Sequence, residues 1–176
     1  MAGNDIGPAW VWHNPGARMQ TQRTHFLDNR LPPLLVSLVV AAMMRGTVTI
    51  APALSLPWPG RELVALVLVI VGALVIVAGV ASFTRHKTTV NPFKPATASS
   101  LVDSGIYGRT RNPMYLGVAM ALFGYAAFLS HPLALFAAFL FPAYIGRFQI
   151  GPEERALDQV FGEAYEAYKK RVPRWL

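Results

Sequence analysis

The sequence contains no cysteine and few charged residues. None of its 176 residues is Cys and only 14% are Asp, Glu, Lys or Arg, whereas 53% are hydrophobic. The absence of cysteine excludes disulfide bonds and thiolate metal sites, and no metal centre is predicted. A charge content this low beside so many apolar residues is atypical of a soluble domain and indicates a membrane protein.

Negative charge is especially scarce. Nine Asp and Glu residues stand against sixteen Lys and Arg, for a formal net charge of +7. The cations flank apolar segments and form no basic face interleaved with aromatic residues, so no nucleic-acid partner is predicted. Residues 1–30 lack the early apolar core that a signal peptide needs and are expected to form a cytoplasmic segment.

Four apolar segments predict membrane spans. The clearest, 63–83, has 21 residues without a charge, enough at about 1.5 Å per residue to cross a hydrocarbon core of about 30 Å. The others are predicted at 31–52, 113–130 and 132–150. The predicted fold is therefore all-α, a polytopic membrane protein whose surroundings are the lipid bilayer.

The distribution of basic residues predicts the orientation of these spans. Three Lys or Arg residues precede the first span, five lie within 85–111, six lie from 147 onward, and two, Arg45 and Arg61, remain for the opposite side. Cytoplasmic loops carry the excess of Lys and Arg. Both termini and the loop 84–112 are therefore expected in the cytoplasm, which agrees with an even number of crossings.

Small residues recur on single faces of two predicted spans. Gly72 and Gly79 share one face of the second span, and Gly117, Ala121 and Gly124 share one face of the third. Small residues allow helices to approach closely in lipid. These faces are predicted to pack against other helices.

Polar residues concentrate in "GIYGRTRNPMY", residues 105–115, between two apolar spans. Asn112 suits the N-cap of a helix and Pro113 its first position. The free amides of that helix start, together with the charge of Arg111, would form an anion site. Tyr107 and Tyr115 add aromatic faces that end in hydroxyl groups.

The tail from residue 152 is predicted to form one amphipathic cytoplasmic helix, 152–171. One acid in its first turn would merely complement the helix dipole. Two acids, Glu153 and Glu154, directly after a span are costly unless they are paired. The apolar positions at helical spacing are Leu157, Val160, Phe161, Ala164, Tyr165 and Tyr168.

From residue 31 to its end, the chain resembles the isoprenylcysteine carboxyl methyltransferase and phospholipid methyltransferase family of integral membrane proteins. The motifs that carry the resemblance are "TTVNPFKPA" (88–96), "LVDSGIYGRTRNPMYLG" (101–117) and "PEERALDQVFGEAYEAYKKRVPRWL" (152–176). The family pattern of Gly-x-Tyr, Arg-His/Asn-Pro-x-Tyr, a Glu pair, Phe-Gly-x-x-Tyr and Val-Pro-x-Trp is present in that order.

The resemblance implies a small helical methyltransferase that uses S-adenosylmethionine and takes a lipophilic acceptor from the bilayer. Its cofactor pocket would lie between the loop, the Arg-Asn-Pro helix start and the tail. Asn112 stands where many relatives carry His, and asparagine cannot act as a general base near neutral pH. By motif position, catalytic roles would fall to Arg111 and Glu154, and the cofactor-binding residues would be Gly105, Tyr107, Arg111, Asn112, Tyr115, Glu153 and Glu154.

The acceptor is open at this point. A carboxylate of the isoprenylcysteine type is the leading expectation. Arg111 would orient such a carboxylate, and its methylation needs no base. A phospholipid amine would require a proton acceptor, for which Glu154 is the candidate, and a small thiol is a further alternative. Outside the enzymes, the alternative is a non-catalytic membrane binding scaffold, although the intact motifs disfavour it.

Overall fold

The computed structural model describes residues 31–85 and 101–176. Within these residues the chain is helical and contains no β-strand, so the predicted all-α class is confirmed. Residues 1–30 and the motif at 88–96 lie outside the described residues. The α-helices are α1 (Pro33–Ile50), α2 (Arg61–Arg85), α3 (Pro113–Leu129), α4 (Pro132–Ala138), α5 (Leu140–Ile145), α6 (Gly151–Phe161) and α7 (Glu163–Arg171).

Among the described residues, three helical stretches are long and apolar enough to cross a membrane: Pro33–Ile50, Arg61–Ser82 and Pro132–Phe161. The apolar helix α3 is shorter, with 17 residues, or about 25 Å. Many large aliphatic and aromatic side chains on these helices are exposed, as expected of surfaces that face lipid rather than water. The protein is a polytopic, all-α integral membrane protein.

The first predicted span ends earlier than expected. It was predicted to reach residue 52, whereas α1 ends at Ile50. Pro52 disfavours helical conformation at the residue before it, and Ala51 indeed leaves the helix with φ −131° and ψ 60°. A short 3₁₀ turn, Pro52–Leu54, follows.

Two prolines interrupt the helical stretch Pro132–Phe161. Pro142 has no N–H to donate to the carbonyl of the residue four positions earlier, and the helix breaks at Phe139, between α4 and α5. Pro152 removes another such bond, and a wider π turn, Gly146–Ile150, directly precedes α6. The π turn changes the direction in which the side chains of α6 point relative to those of α5.

The tail is helical and amphipathic, as predicted, but it forms two helices rather than one. The helix breaks at Gly162, which has φ +50°, a conformation that glycine adopts readily. The break allows α7 to bury Tyr165, Tyr168 and Val172 in a small second core. Leu101, Leu157 and Phe161 pack against that core.

Helices α2 and α3 pack through the glycines that the sequence analysis singled out. A Cβ atom on Gly117 would lie 2.4 Å from the carbonyl oxygen of Gly72, and one on Gly124 would lie 2.9 Å from that of Ala65. Real Cβ atoms do not approach other atoms so closely, so the interface requires glycine at both positions. The prediction of close helix packing is confirmed.

Candidate functional site

The Arg-Asn-Pro motif is held by the last residues of the chain, 172–176, called here the closing segment. The backbone N–H of Arg111 donates to the carbonyl oxygen of Pro173 at 3.0 Å. The hydroxyl of Thr110 and the side-chain amide of Asn112 both donate to the carbonyl oxygen of Arg174, at 3.3 and 2.9 Å. The start of α3 and the end of the chain therefore form one unit.

Asn112 has a different role from the one expected at its position. It occupies the N-cap of α3, but its side chain makes no capping hydrogen bond. Its amide group bonds the closing segment instead. The predicted N-cap position of Asn112 is confirmed, but its side chain connects two parts of the site instead of bonding the backbone of the helix start.

Glu154 is bound by two arginines, and we call Arg111, Glu154 and Arg174 the arginine clasp. Arg111 Nη1 lies 3.0 Å from Glu154 Oε1. Arg174 donates from Nε to Oε1 at 3.1 Å and from Nη2 to Oε2 at 2.5 Å. The Arg111 and Glu154 side chains are only 12% and 13% exposed, so each would be costly to leave unpaired.

Glu153 has different partners, which we call the Glu153 cluster: Tyr115, Gln149 and Glu153. Its Oε1 accepts hydrogen bonds from the Tyr115 hydroxyl at 2.7 Å and from Gln149 Nε2 at 2.8 Å. Within the described part of the chain, Glu153 forms no ion pair and Oε2 accepts no hydrogen bond. Adjacent helical residues point about 100° apart, which is why the two glutamates meet different groups.

Three buried tyrosines, Tyr107, Tyr165 and Tyr168, lie in this part of the fold. Burial raises the pKa of Tyr107, and the charges of Tyr168 and Glu153 raise it further. Burial raises the pKa of Tyr165 to about 12, where Glu154 adds to the rise and Arg111 opposes it. These hydroxyls therefore stay protonated at neutral pH, and that of Tyr168 donates to the Tyr107 carbonyl oxygen at 2.8 Å.

Gly105 begins the 3₁₀ turn Gly105–Gly108, which carries Tyr107. It has φ +62°, and a Cβ atom there would lie 3.3 Å from Ser82 Oγ at the end of α2. Glycine thus allows a left-handed turn to lie against α2. The structure shows this conformational role for Gly105. Its contact with a ligand stays a prediction.

The structure brings together the acids, Arg111, Asn112 and two tyrosines that the sequence predicted, and it adds residues that the sequence analysis missed. Gln149 is 1% exposed and bonds Glu153. Arg174, at the variable position of the closing Val-Pro-x-Trp, bonds Glu154. The sequence could have indicated Gln149, since it is an amide at the end of an apolar span and four residues before Glu153. No local sequence pattern indicates a role for Arg174.

The sequence model of a family described as phospholipid methyltransferase matches residues 61–164, more than half of the chain. The matched range includes Arg111, Tyr115, Glu153 and Glu154.

The chain belongs to the phospholipid methyltransferase family.

Two relatives accompany this family match. An uncharacterized protein of Haemophilus influenzae is 38% identical over 63 residues, which are 36% of this chain and all of that protein. The Protein-S-isoprenylcysteine O-methyltransferase of Xenopus laevis is 38% identical over 77 residues, 44% of this chain and 27% of that protein. The match therefore spans about a quarter of the Xenopus enzyme. No solved structure matches the chain significantly. Its family and its apolar helices make this protein a membrane methyltransferase.

Proposed function

We propose that this membrane methyltransferase uses S-adenosylmethionine and methylates a lipophilic acceptor at the membrane surface, with the cofactor between Arg111 and Glu153. The observation that supports this proposal best is unused hydrogen-bonding capacity of both signs, on Arg111 and on Glu153, the chain neighbour of the ion-pair partner of Arg111. Arg111 Nε is buried and has no acceptor among the described residues, and Glu153 Oε2 has no donor there. A ligand with a carboxylate and an ammonium group would satisfy both.

The two glutamates differ in their fitness to bind such a ligand. Both oxygens of Glu154 already accept bonds from guanidinium groups. Contact between Glu154 and the cofactor's ammonium group would therefore require the arginine clasp to open. The donors that Glu153 has in the described part of the chain are both neutral, and both act on the same oxygen. We therefore assign the ammonium contact to Glu153 and a supporting role to Glu154, which holds Arg111 in place.

The tyrosines provide the remaining features that the cofactor requires. A ring face attracts a cation, which suits a sulfonium centre, and it also stacks on an aromatic base. Tyr107 is linked to Glu153 through electrostatic interaction, and Tyr165 is linked in the same way to Arg111. The site thus combines a cation, a carboxylate and aromatic surface within one end of the helical fold.

When bound, S-adenosylmethionine supplies an electrophilic methyl group on a sulfonium. The protein's part is to orient the acceptor toward that group and to exclude water. A carboxylate acceptor releases no proton on methylation, whereas an amine acceptor does. The sequence suggested Glu154 as the proton acceptor, but both of its oxygens accept bonds from guanidinium groups, so this role would require the arginine clasp to open.

Two acceptor classes follow from the comparisons. The name of the Xenopus laevis relative supports an isoprenylated cysteine carboxylate, and the description of the family supports a phospholipid amine. Both acceptors have a long apolar part, which lies in the bilayer. Methyl transfer to both acceptors, measured with the same preparation of the protein, decides the chemical class of the acceptor.

The test begins with the full chain in detergent or lipid nanodiscs. Calorimetry with S-adenosylhomocysteine measures cofactor binding, and transfer of a labelled methyl group is then measured to an isoprenylated cysteine derivative and to phosphatidylethanolamine. Binding together with transfer to either acceptor supports the proposal. No binding overturns it, and binding without transfer to any lipophilic acceptor favours the non-catalytic scaffold.

A further inference from the structure

We propose that Gln149 is a positioning residue that holds the carboxylate of Glu153 with Oε2 turned toward the ligand. This inference rests on the proposed function, because it assigns a role to Gln149 within the same site. The motifs that carry the family resemblance do not include Gln149. Its assignment comes from burial, a hydrogen bond and the backbone that carries it.

The environment of Gln149 makes its amide a costly group unless it has a partner. The side chain is 1% exposed and lies within the helical stretch Pro132–Phe161. A buried amide without a hydrogen bond is strongly unfavourable in an apolar medium. Its Nε2 donates to Glu153 Oε1 at 2.8 Å, so the burial of the two side chains depends on their contact.

Gln149 lies in the π turn Gly146–Ile150. The extra residue in a π turn rotates the helix face that follows it, and such turns occur often at functional sites. Here the turn ends just before α6, which carries Glu153. The amide and the carboxylate are four residues apart and meet on one helix face.

Two donors on one oxygen orient a carboxylate. Gln149 acts from the π turn and Tyr115 from the first turn of α3, so Oε1 of Glu153 is held from two directions. With Oε1 held, rotation of the carboxylate is restricted and Oε2 is left as the unbonded oxygen. Loss of either donor should therefore weaken ligand binding through Glu153, even where the fold is unchanged.

The test is the affinity of the full chain in detergent for S-adenosylhomocysteine, measured by calorimetry beside a melting curve. Gln149→Met keeps the length of the side chain and removes its donor, and we expect affinity to fall roughly 10- to 100-fold. Gln159→Met is the matched control, because Gln159 is an exposed glutamine in α6 and its replacement should leave affinity unchanged. If Gln149→Met unfolds, Gln149→Asn keeps the amide but shortens its reach and should weaken binding.

A double-mutant cycle with Glu153→Gln distinguishes this inference from the proposed function. We expect Gln149→Met to change affinity less than about threefold in the Glu153→Gln background, since the two residues act as a unit. An equal loss in both backgrounds overturns the inference, as does wild-type affinity in Gln149→Met or Gln149→Asn. If Glu153→Gln itself binds like the wild type, the assignment of the ammonium contact to Glu153 fails and the inference with it, whereas the proposed function fails only if the wild type does not bind.

Discussion

The hydroxyl of Tyr115 donates a 2.7 Å hydrogen bond to Oε1 of Glu153, although the two residues lie 38 positions apart in the sequence. Tyr115 belongs to the first turn of α3 and Glu153 to the first turn of α6. This bond joins the Arg-Asn-Pro-x-Tyr motif to the glutamate pair. Two of the motifs that carry the family resemblance, 101–117 and 152–176, are therefore in direct contact.

Replacing Glu153 tests the assignment of the ammonium contact. We expect Glu153→Gln to weaken binding of S-adenosylmethionine by one to two decades, because a charge-assisted hydrogen bond is worth about 1.5–3 kcal/mol. Glu163→Gln, at an exposed position of α7, is the control and should bind normally. Calorimetry beside a thermal melt measures both. Wild-type affinity in Glu153→Gln would remove Glu153 from the site.

Replacing Glu154 should act mainly on stability. Glu154→Gln leaves the largely buried Arg111 without a carboxylate, and we expect a loss of about 3 kcal/mol in the free energy of unfolding. Arg174→Gln should cost less than about 1 kcal/mol, because the Arg174 side chain is 42% exposed and water screens its ion pair. Unfolding in detergent compares the two. Equal losses would contradict the view that Arg111 is the partner that depends on Glu154.

The packing of α2 on α3 gives a test that involves no ligand. A Cβ atom on Gly117 would meet the Gly72 carbonyl oxygen at 2.4 Å and Ile76 Cγ1 at 2.5 Å, so even Gly117→Ala should destabilise the fold by about 1–3 kcal/mol, and Gly117→Leu by more. Gly46→Ala is the matched control in α1. No atom of the described residues lies within 4 Å of a Cβ atom there, so the change should be neutral or stabilise by up to about 1 kcal/mol. A Gly117→Ala variant that melts like the wild type would contradict this packing.

The orientation in the membrane is a separate prediction from the distribution of Lys and Arg. Reporter fusions after residue 83 and after residue 176 should both report the cytoplasmic side, because eleven of the sixteen basic residues lie from residue 85 onward. A fusion after residue 58, between α1 and α2, is the control and should report the opposite side. Reporters at 83 and 176 on opposite sides would contradict an even number of crossings.

The sequence alone was sufficient for the fold class and for most of the apolar helices. A membrane crossing needs a long run of apolar residues whose backbone bonds are satisfied within the segment, which is a local property. Local rules also indicated where helices start, as at Pro113. They failed at Gly162, where helical spacing continues through the glycine and only the packing of Tyr165 and Tyr168 shows that the helix breaks.

The tertiary structure alone decided which partner each polar side chain has. Glu153 and Glu154 are neighbours in sequence, yet one bonds Tyr115 and Gln149 and the other bonds two arginines. Two long-range contacts could not be predicted from any local pattern. Asn112 bonds the Arg174 carbonyl oxygen, 62 positions away, and Arg174 bonds Glu154, 20 positions away. Helical spacing specifies the face on which a residue lies, but the polar group that it meets depends on how the helices and the end of the chain pack together.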